Sequence, residues 1–553
     1  MWRIARRAPA DLFEELPDLP PLVVQVLHNR GITSVESVCD FVKGPPLPHD
    51  PYLIDEMDVA VERVARAVRK RERICVYGDY DVDGVSSTAM LLEVATLLGL
   101  DAFPYIPKRL TGYGLTTEAI DVIASKRAEL IITADCGSTA HEEIAYAANH
   151  GIDVVVTDHH LMHARPEQAI ALLNPNAPGG CYPFTGLSGV GVAYKLVQAL
   201  ADEFAEEIPY PESFLDLVAL GTIADVVPIR DENRAFVVAG LEIIRSSPRL
   251  GLSALGAASG RPIESITVEG IAFGLAPRLN AAGRLAHACL ALELLLVSHT
   301  ARADELAREL DALNVERQRM TEEAVVEARS QFTGGNVVFA ISENIVPGIA
   351  GLAAARISSE FGVLAFMGTE IDGVVRGSAR SPQGIHLAEI LGRHAHLFER
   401  WGGHAGAAGF SLLPGNVEVF REAIVRELAA SDLADLFGPR VVADGRVFPR
   451  TIAWDTYRAL EVLAPWGHAH ERPRFVVENV RIGEVRLVGK NHLALRFTEV
   501  DRDVEAIWFR NGDKRDRLER SQYVDVAFRL DVNEYRGRSR LQMLVDDVRL
   551  RSS

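Results

Sequence analysis

The sequence predicts an α/β protein in which a parallel-sheet domain is joined by one long helix to a second α/β domain, followed by a small β-barrel. Three observations predict this. Between Arg73 and Pro175 short β-branched runs alternate with helical stretches, the pattern of a doubly wound parallel sheet. Leu306, Leu310, Leu313, Met320 and Ala324 recur at steps of 4, 3, 7 and 4 within a heavily charged segment, which reads as one amphipathic helix. Beyond Val441 short apolar runs are separated by polar turns, as in small closed barrels.

Taken in order, the candidate strands of the first sheet are ICVYG (74–78), LIITA (130–134), DVVVT (153–157) and ALLNP (171–175), with a helix over 85–99 after the first. The amphipathic helix fills 301–332 and meets no Gly or Pro until Gly334-Gly335. NVVFAI (336–341) then opens a new strand–helix series that runs to about Pro439. A helix over 451–465 precedes strands at 475–480, 485–488, 492–497, 504–508, 524–530 and 541–548. The expected organisation is an N-terminal segment (1–45), a first α/β domain (46–298), a connector helix (299–334), a second α/β domain (335–440) and the barrel (441–553).

With 553 residues, 48% hydrophobic and 24% charged, the chain has material for three or four cores at about 150 residues each. Collagen, global disorder and a disulfide framework are excluded by composition. The five cysteines form no C-x-x-C pair, which argues for reduced thiols and against a zinc ribbon. No stretch approaches the roughly 18 uninterrupted apolar residues of a membrane span, so the expected location is the cytoplasm. The formal charge of −18 by itself disfavours a polyanionic ligand, but it is uneven: residues 1–440 carry −21 and the remainder +3. The tail therefore permits nucleic-acid binding without demanding it.

In sheets of this kind ligands gather beyond the carboxyl ends of the strands. There the first strand delivers Asp79, Asp81 and Asp83, the second Asp135-Cys136-Gly137, and the third Asp158-His159-His160. Three carboxylates at alternate positions raise one another's pKa unless a cation neutralises them. An Asp-rich turn or helix cap explains the first motif alone; it does not explain four separated segments. Asp225, in the apolar stretch LVALGTIADVVP, is the fourth, since a carboxylate there must be paired or ligate a metal. An EF-hand is set aside because Met90 stands where its bidentate Glu belongs. Mixed Asp and His donors suit Mn²⁺ or Mg²⁺, and their number suggests two ions clamping a phosphoryl group. Cys136 is read as packing.

GDYDVDG, TADCG, TDHH and GTIADVVP, in this order and spacing, resemble the four motifs of the DHH phosphoesterase superfamily. APRLNAAGRL (276–285), GSARS (377–381) and GGHAGAAG (402–409), followed by a barrel, resemble its branch of single-strand-specific 5′→3′ exonucleases, over most of residues 40–553. The resemblance implies a DHH catalytic domain, a DHH-associated substrate-binding domain and an OB fold. It also implies roles. Asp81 and Asp135 hold one metal; Asp83, Asp135, His159 and Asp225 hold the second; His160 faces the scissile phosphate; and Asp79 supports the catalytic group. Where other branches place a metal-binding His, this chain has Tyr77, so the first metal is expected to bind more weakly and to fill only with substrate.

Arg380 and Ser378 in GSARS match the pocket for a 5′-terminal phosphate, to which a guanidinium fork is suited. Arg278, Asn280 and Arg284 are expected to contribute, and Arg109 matches another phosphate-contacting position. Tyr113 is placed to stack on a base, and Gly402-Gly403-His404 to bring backbone amides close to substrate. Trp466, Phe475, Phe497, Trp508, Phe509, Arg474, Arg496 and Arg510 are possible groove lining in the barrel, although many must be core. The implied activity is metal-dependent hydrolysis of single-stranded DNA from its 5′ end in recombination and repair, by a monomer. Implied partners are single-strand-binding protein and a RecQ-type helicase.

Overall fold

The computed structural model describes the whole chain except residues 1, 110–113, 333, 431–432, 434–435, 439, 536–537 and 552–553. It divides into two compact units, Leu47–Gly438 and the combination of Met1–Pro46 with Pro439–Ser553.

In the larger unit the first sheet comprises β1 (Arg73–Gly78), β2 (Asp101–Tyr105), β3 (Leu130–Ala134), β4 (Asp153–Thr157) and β5 (Ala171–Leu173). The order is β2-β1-β3-β4-β5 and every pairing is parallel. The chain leaves β1 for β2 on one side and returns to β3 on the other. This reversal opens a crevice at the carboxyl ends of β1 and β3, where ligands bind in such sheets. β1, β3 and β4 are buried almost throughout, which is why they read as continuous apolar runs. The sequence pattern misses β2 because DAFPY contains a proline. At the sheet edge Pro104 need donate no ladder bond.

Helix α1 (Val82–Leu97) follows β1, beginning three residues before its expected start. Asp81 caps it, its side chain accepting from the Asp83 and Gly84 amides at 3.0 and 3.2 Å. Helices α2 (Gly189–Glu203) and α3 (Leu215–Ala224) pack on α1. Helix α4 (Ala276–Leu285) leads towards α5 (Thr300–Gln331), the long connecting helix.

The second sheet has β6 (Val337–Ile341), β7 (Leu364–Ile371), β8 (Val374–Arg380), β9 (Phe398–Gly403) and β10 (Ala407–Leu412) in the order β9-β10-β8-β7-β6. Only β6–β7 is parallel. Helix α6 (Pro347–Phe361) lies against β7 and β8. A core of Phe366, Phe410 and Phe420 fills the opposite face.

The smaller unit is a barrel of β11 (Gly445–Val447), β12 (Arg474–Val488), β13 (His492–Phe497), β14 (Glu505–Trp508), β15 (Tyr523–Tyr535) and β16 (Arg538–Leu550), closed by β12–β15 pairing. Three expectations are corrected here. The strands at 475–480 and 485–488 are one continuous strand, interrupted in pattern by a bulge between Val477 and Val480. The helix expected over 451–465 is confined to Trp454–Glu461. The segment expected to stand apart at 1–45 folds with the barrel: Trp2–Ile4 pairs with Val441–Ala443, and Arg30 bridges Asp444 at 2.6 Å. Trp466, Phe475, Phe497 and Trp508 are buried core, whereas Phe509 is exposed. Arg474 pairs with Asp546 and Arg496 lies near Glu484 and Glu505.

Among the described residues no helix is long and apolar enough to cross a membrane.

Candidate metal centre and phosphate site

Each of the three central strands presents an aspartate one residue past its end, and the ladder carries that residue into position. The Asp79 amide donates to Ala134, the Asp135 amide to Thr157 and the Asp158 amide to Leu173, at 3.2, 3.0 and 3.1 Å. Asp135 adopts φ +67°, a strained conformation for a residue other than glycine, of a kind found at functional sites. Asp225 arrives as the C-terminal cap of α3. Two glycines make the convergence possible. A Cβ on Gly189 would lie 2.4 Å from Asp135 Oδ1, and one on Gly221 would lie 2.7 Å from Asp83 Oδ1.

Three sets of donor atoms result, each with its members within 4.8 Å of one another: Asp79, Asp81 and Asp135; Asp83, His159 and Asp225; and Asp135, His159 and His160. His159 Nε2 lies 3.2 Å from Asp135 Oδ1 and 3.5 Å from Asp225 Oδ2, without hydrogen-bond geometry to either. Burial and the neighbouring His160 push the His159 imidazole down to about 4, so near neutral pH it is an uncharged ligand. Asp79 Oδ1 is buried with no hydrogen-bond partner among the described residues. Burial and then the neighbouring Asp81 hold the Asp79 carboxyl well above the usual range and push Asp83 up to about 7. Burial and then Asp83 raise Asp135 and Asp225 likewise. Asp83 is elevated even though it accepts from the Gly189 and Val190 amides at 2.6 and 2.9 Å. This donor set fits hard divalent cations: buried carboxylate oxygens and a neutral imidazole, short of positive charge.

Asp158 plays a different part, one to which sequence reasoning gave no role. It accepts from His160 Nδ1 at 2.7 Å, from the His159 and His160 amides at 2.7 and 3.1 Å, and from the Ser138 amide at 2.9 Å. Burial opposes its ionisation, but the hydrogen bond and charge of His160 outweigh it and hold Asp158 well below the usual carboxylate range. Burial would likewise lower His160, yet Asp158 keeps it raised. Asn174 donates to the Ser138 hydroxyl and to the His160 carbonyl. Tyr77 is turned into the core, stacked on Tyr105 with its hydroxyl donating to the Gly114 carbonyl. Cys136 is fully buried.

Beside the acidic edge stands a group of arginines. The Arg109 guanidinium lies 3.9 Å from the ring centroid of Tyr80, within the first acidic motif. Arg284 donates to the Gly348 carbonyl at 2.9 Å. Arg380 and Ser378, on β8, face α6, where a Cβ on Gly351 would come within 3.0 and 3.4 Å of them. Burial, then the like charges of Arg109 and Arg317, push Arg284 down to about 9; Arg380 is lowered by burial. Two other expected residues have structural partners. Asn280 accepts from the Val82 amide at 3.2 Å, securing the start of α1. Arg278 binds Asp311 at 2.8 Å and the Gly274 carbonyl. His404 is exposed in the turn between β9 and β10, and Tyr113 lies outside the described residues. A cavity of about 390 Å³ extends from Arg109 and Ser378 past Arg376, Arg400 and Trp401, three residues the sequence did not single out.

Family profiles match the DHH family N-terminal domain at residues 73–222, the DHHA1 domain at 334–430 and the RecJ OB domain at 443–547. The single-stranded-DNA-specific exonuclease RecJ of Salmonella typhimurium is 37% identical, with 99% of each chain covered. The chain belongs to the RecJ family. The RecJ of Bacillus subtilis is 33% identical over 99% of this chain and 70% of its own. Thermus thermophilus RecJ in complex with Mn²⁺ superposes with a TM-score of 0.85 at 29% identity, covering 100% of this chain and 80% of its own. Its complex with Mg²⁺ gives 0.80. The three domain types expected from the motifs are therefore those of the RecJ family.

Proposed function

We propose that the chain is a metal-dependent 5′→3′ exonuclease that hydrolyses single-stranded DNA to mononucleotides and acts in DNA recombination and repair. The observation that carries this reading is an acidic, imidazole-bearing strand edge lying beside Arg109, Arg284 and Arg380, which form no ion pair with a carboxylate among the described residues. A phosphodiester bridges such a pair of environments, because the arginines take its oxygens while the carboxylates require cations. The activity named for the relatives and the Mn²⁺ and Mg²⁺ held by the Thermus protein support the same reading.

Asp81 and Asp135 would hold one ion, and Asp83, Asp135, His159 and Asp225 the other, with Asp135 between them. When bound, such ions lower the pKa of water and offset charge on the phosphoryl oxygens. Tyr77, turned into the core, would offer the first ion no ligand, so Asp81 and Asp135 would hold it more weakly until substrate is present. Asp158 accepts from His160 Nδ1 and keeps the ring protonated more readily, which leaves Nε2 as a donor to the phosphate or the leaving oxygen. Arg109, Arg284, Ser378 and Arg380 seat the phosphate end, Arg278 and Asn280 support that seat, and Tyr113 and His404 contact the terminal nucleotide. Asp79 supports the metal ligands. The OB domain binds the single strand. We further place the enzyme in the cytoplasm as a monomer, working with single-strand-binding protein and a RecQ-type helicase.

The test compares the full chain on a 5′-phosphorylated single strand and on its duplex, with Mn²⁺ or with a chelator. Metal-dependent release of mononucleotides from the single strand alone is expected. Equal degradation of the duplex, or activity that survives chelation, would overturn the reading.

A further inference from the structure

The apolar seam of α5 has a gap. Leu306, Leu310, Leu313, Met320 and Ala324 follow alternating steps of four and three except between Leu313 and Met320. The residue that completes the alternation is Arg317. A seam position is where a connecting helix ordinarily places an apolar side chain. Here it places a guanidinium, with the Nε buried and without a hydrogen-bond partner among the described residues. One turn earlier Asn314 is 1% exposed, and its Oδ1 also has no partner among them. Neighbouring arginines on α5 are treated differently: Arg319 is paired with Glu316 and Glu323.

Helix α5 packs on both α4 and α6, the elements that carry Arg284 and its carbonyl acceptor Gly348. The α4–α5 contact supplies an acid for Arg278, namely Asp311. For Arg284 it supplies another cation, the half-buried Arg317, and the two guanidiniums repel. Among the described residues neither forms an ion pair with a carboxylate, nor do Arg109 and Arg380. Like charges gathered in this way and partly withdrawn from water favour a bound anion, and guanidinium forks suit phosphate oxygens.

We propose that Arg317 is a substrate-binding residue, completing with Arg284, Arg109 and Arg380 an anion seat built partly from the connecting helix. The proposal rests on the phosphate-binding reading above and adds to it a coupling. The anion that fills the seat also relieves the repulsion between α4 and α5, so binding substrate tightens the helix that joins the two α/β sheets.

The test uses the full chain in magnesium buffer, comparing thermal unfolding in sodium phosphate with sodium chloride at equal ionic strength. The variants are Arg317→Gln, Arg317→Lys and, as a control outside the seat, Arg319→Gln. Phosphate should raise the midpoint of the unaltered protein and of Arg319→Gln by about 2 °C more than it raises that of Arg317→Gln. In chloride, Arg317→Gln should be at least as stable as the unaltered protein, because a repulsion has gone. KM for a 5′-phosphorylated single strand should rise about tenfold in Arg317→Gln with kcat within about twofold, and Arg317→Lys should recover part of the phosphate response. An unchanged phosphate increment in Arg317→Gln, or a lower midpoint in chloride, would overturn the proposal. If no variant or parent cleaves DNA, the functional reading fails, and the phosphate increment still decides the part played by Arg317.

Discussion

Asp135 is the residue on which the metal centre turns, because it belongs to two of the three donor sets and is held at a strained φ. Asp135→Asn should weaken Mn²⁺ binding by at least about 10–100-fold, measured by calorimetry, and slow hydrolysis by about 10³-fold or more. The same variant should be more stable than the parent when both are metal-free at pH 8, since one buried carboxylate no longer has to ionise. Asp158→Asn should behave differently. With its ligand set intact it should bind Mn²⁺ within about tenfold of the parent, while kcat falls by about 10²–10⁴-fold because His160 loses its anionic partner. Comparable losses of metal affinity in the two variants would contradict this division of labour. Asp79, Asp81, Asp83, Asp135, His159 and Asp225 were legible in the sequence because each follows or interrupts an apolar run, where a charge needs a reason. Asp158 was not separable from the two histidines beside it, since spacing does not say which side chain turns toward metal and which toward its neighbour. Arg317 was hidden for a related reason: a charged residue in a charged helix looks solvated until its burial is known.

At the scale of elements, α1, α2 and α3 hold the carboxylates in place, and a buried ion pair locks α2. Lys195 and Glu232, both fully buried, meet at 2.6 Å, while Tyr182 donates to Glu232 and Lys195 donates to the His49 carbonyl. Lys195→Met should therefore destabilise the protein by about 3–5 kcal/mol, because Glu232 is left charged and unpaired. Chemical denaturation checks this, and a loss below about 1 kcal/mol would show that Glu232 takes a proton or water at little cost. The central strands could be read directly, since strands covered on both faces are apolar throughout. β2 and β12 could not. One carries a proline tolerated only at an edge, and the other holds Asn479 at φ +56° beside its bulge, so its alternation breaks although its pairing continues. The place of the N-terminal segment depends on a strand pairing with Val441–Ala443, a long-range contact that no local pattern announces.

At the scale of the whole molecule the raised carboxylates link stability to pH and metal. Asp79, Asp83, Asp135 and Asp225 bind protons more tightly folded than unfolded, so the metal-free protein carries more protons when folded, and its stability falls as pH rises. For Asp83 the loss runs from the unfolded carboxylate range up to about pH 7, at about 1.4 kcal/mol per unit for each such group. Thermal midpoints of the chelated protein should therefore be higher at pH 6 than at pH 8, and Mn²⁺ should close the gap by stabilising the ionised ligands. A midpoint that rises with pH in the absence of metal would contradict the assignment of these groups.

The central claim is that an acidic strand edge and an arginine seat together hydrolyse a single strand from its 5′ end. Its most direct test is a time course on a 5′-phosphorylated single strand labelled in turn at each end, with Mn²⁺ and with Asp135→Asn as control. Early release of a labelled mononucleotide from the 5′ label alone, lost in the variant, is the result predicted. Early release from the 3′ label, or turnover of di- and trinucleotides with long strands left intact, would contradict it.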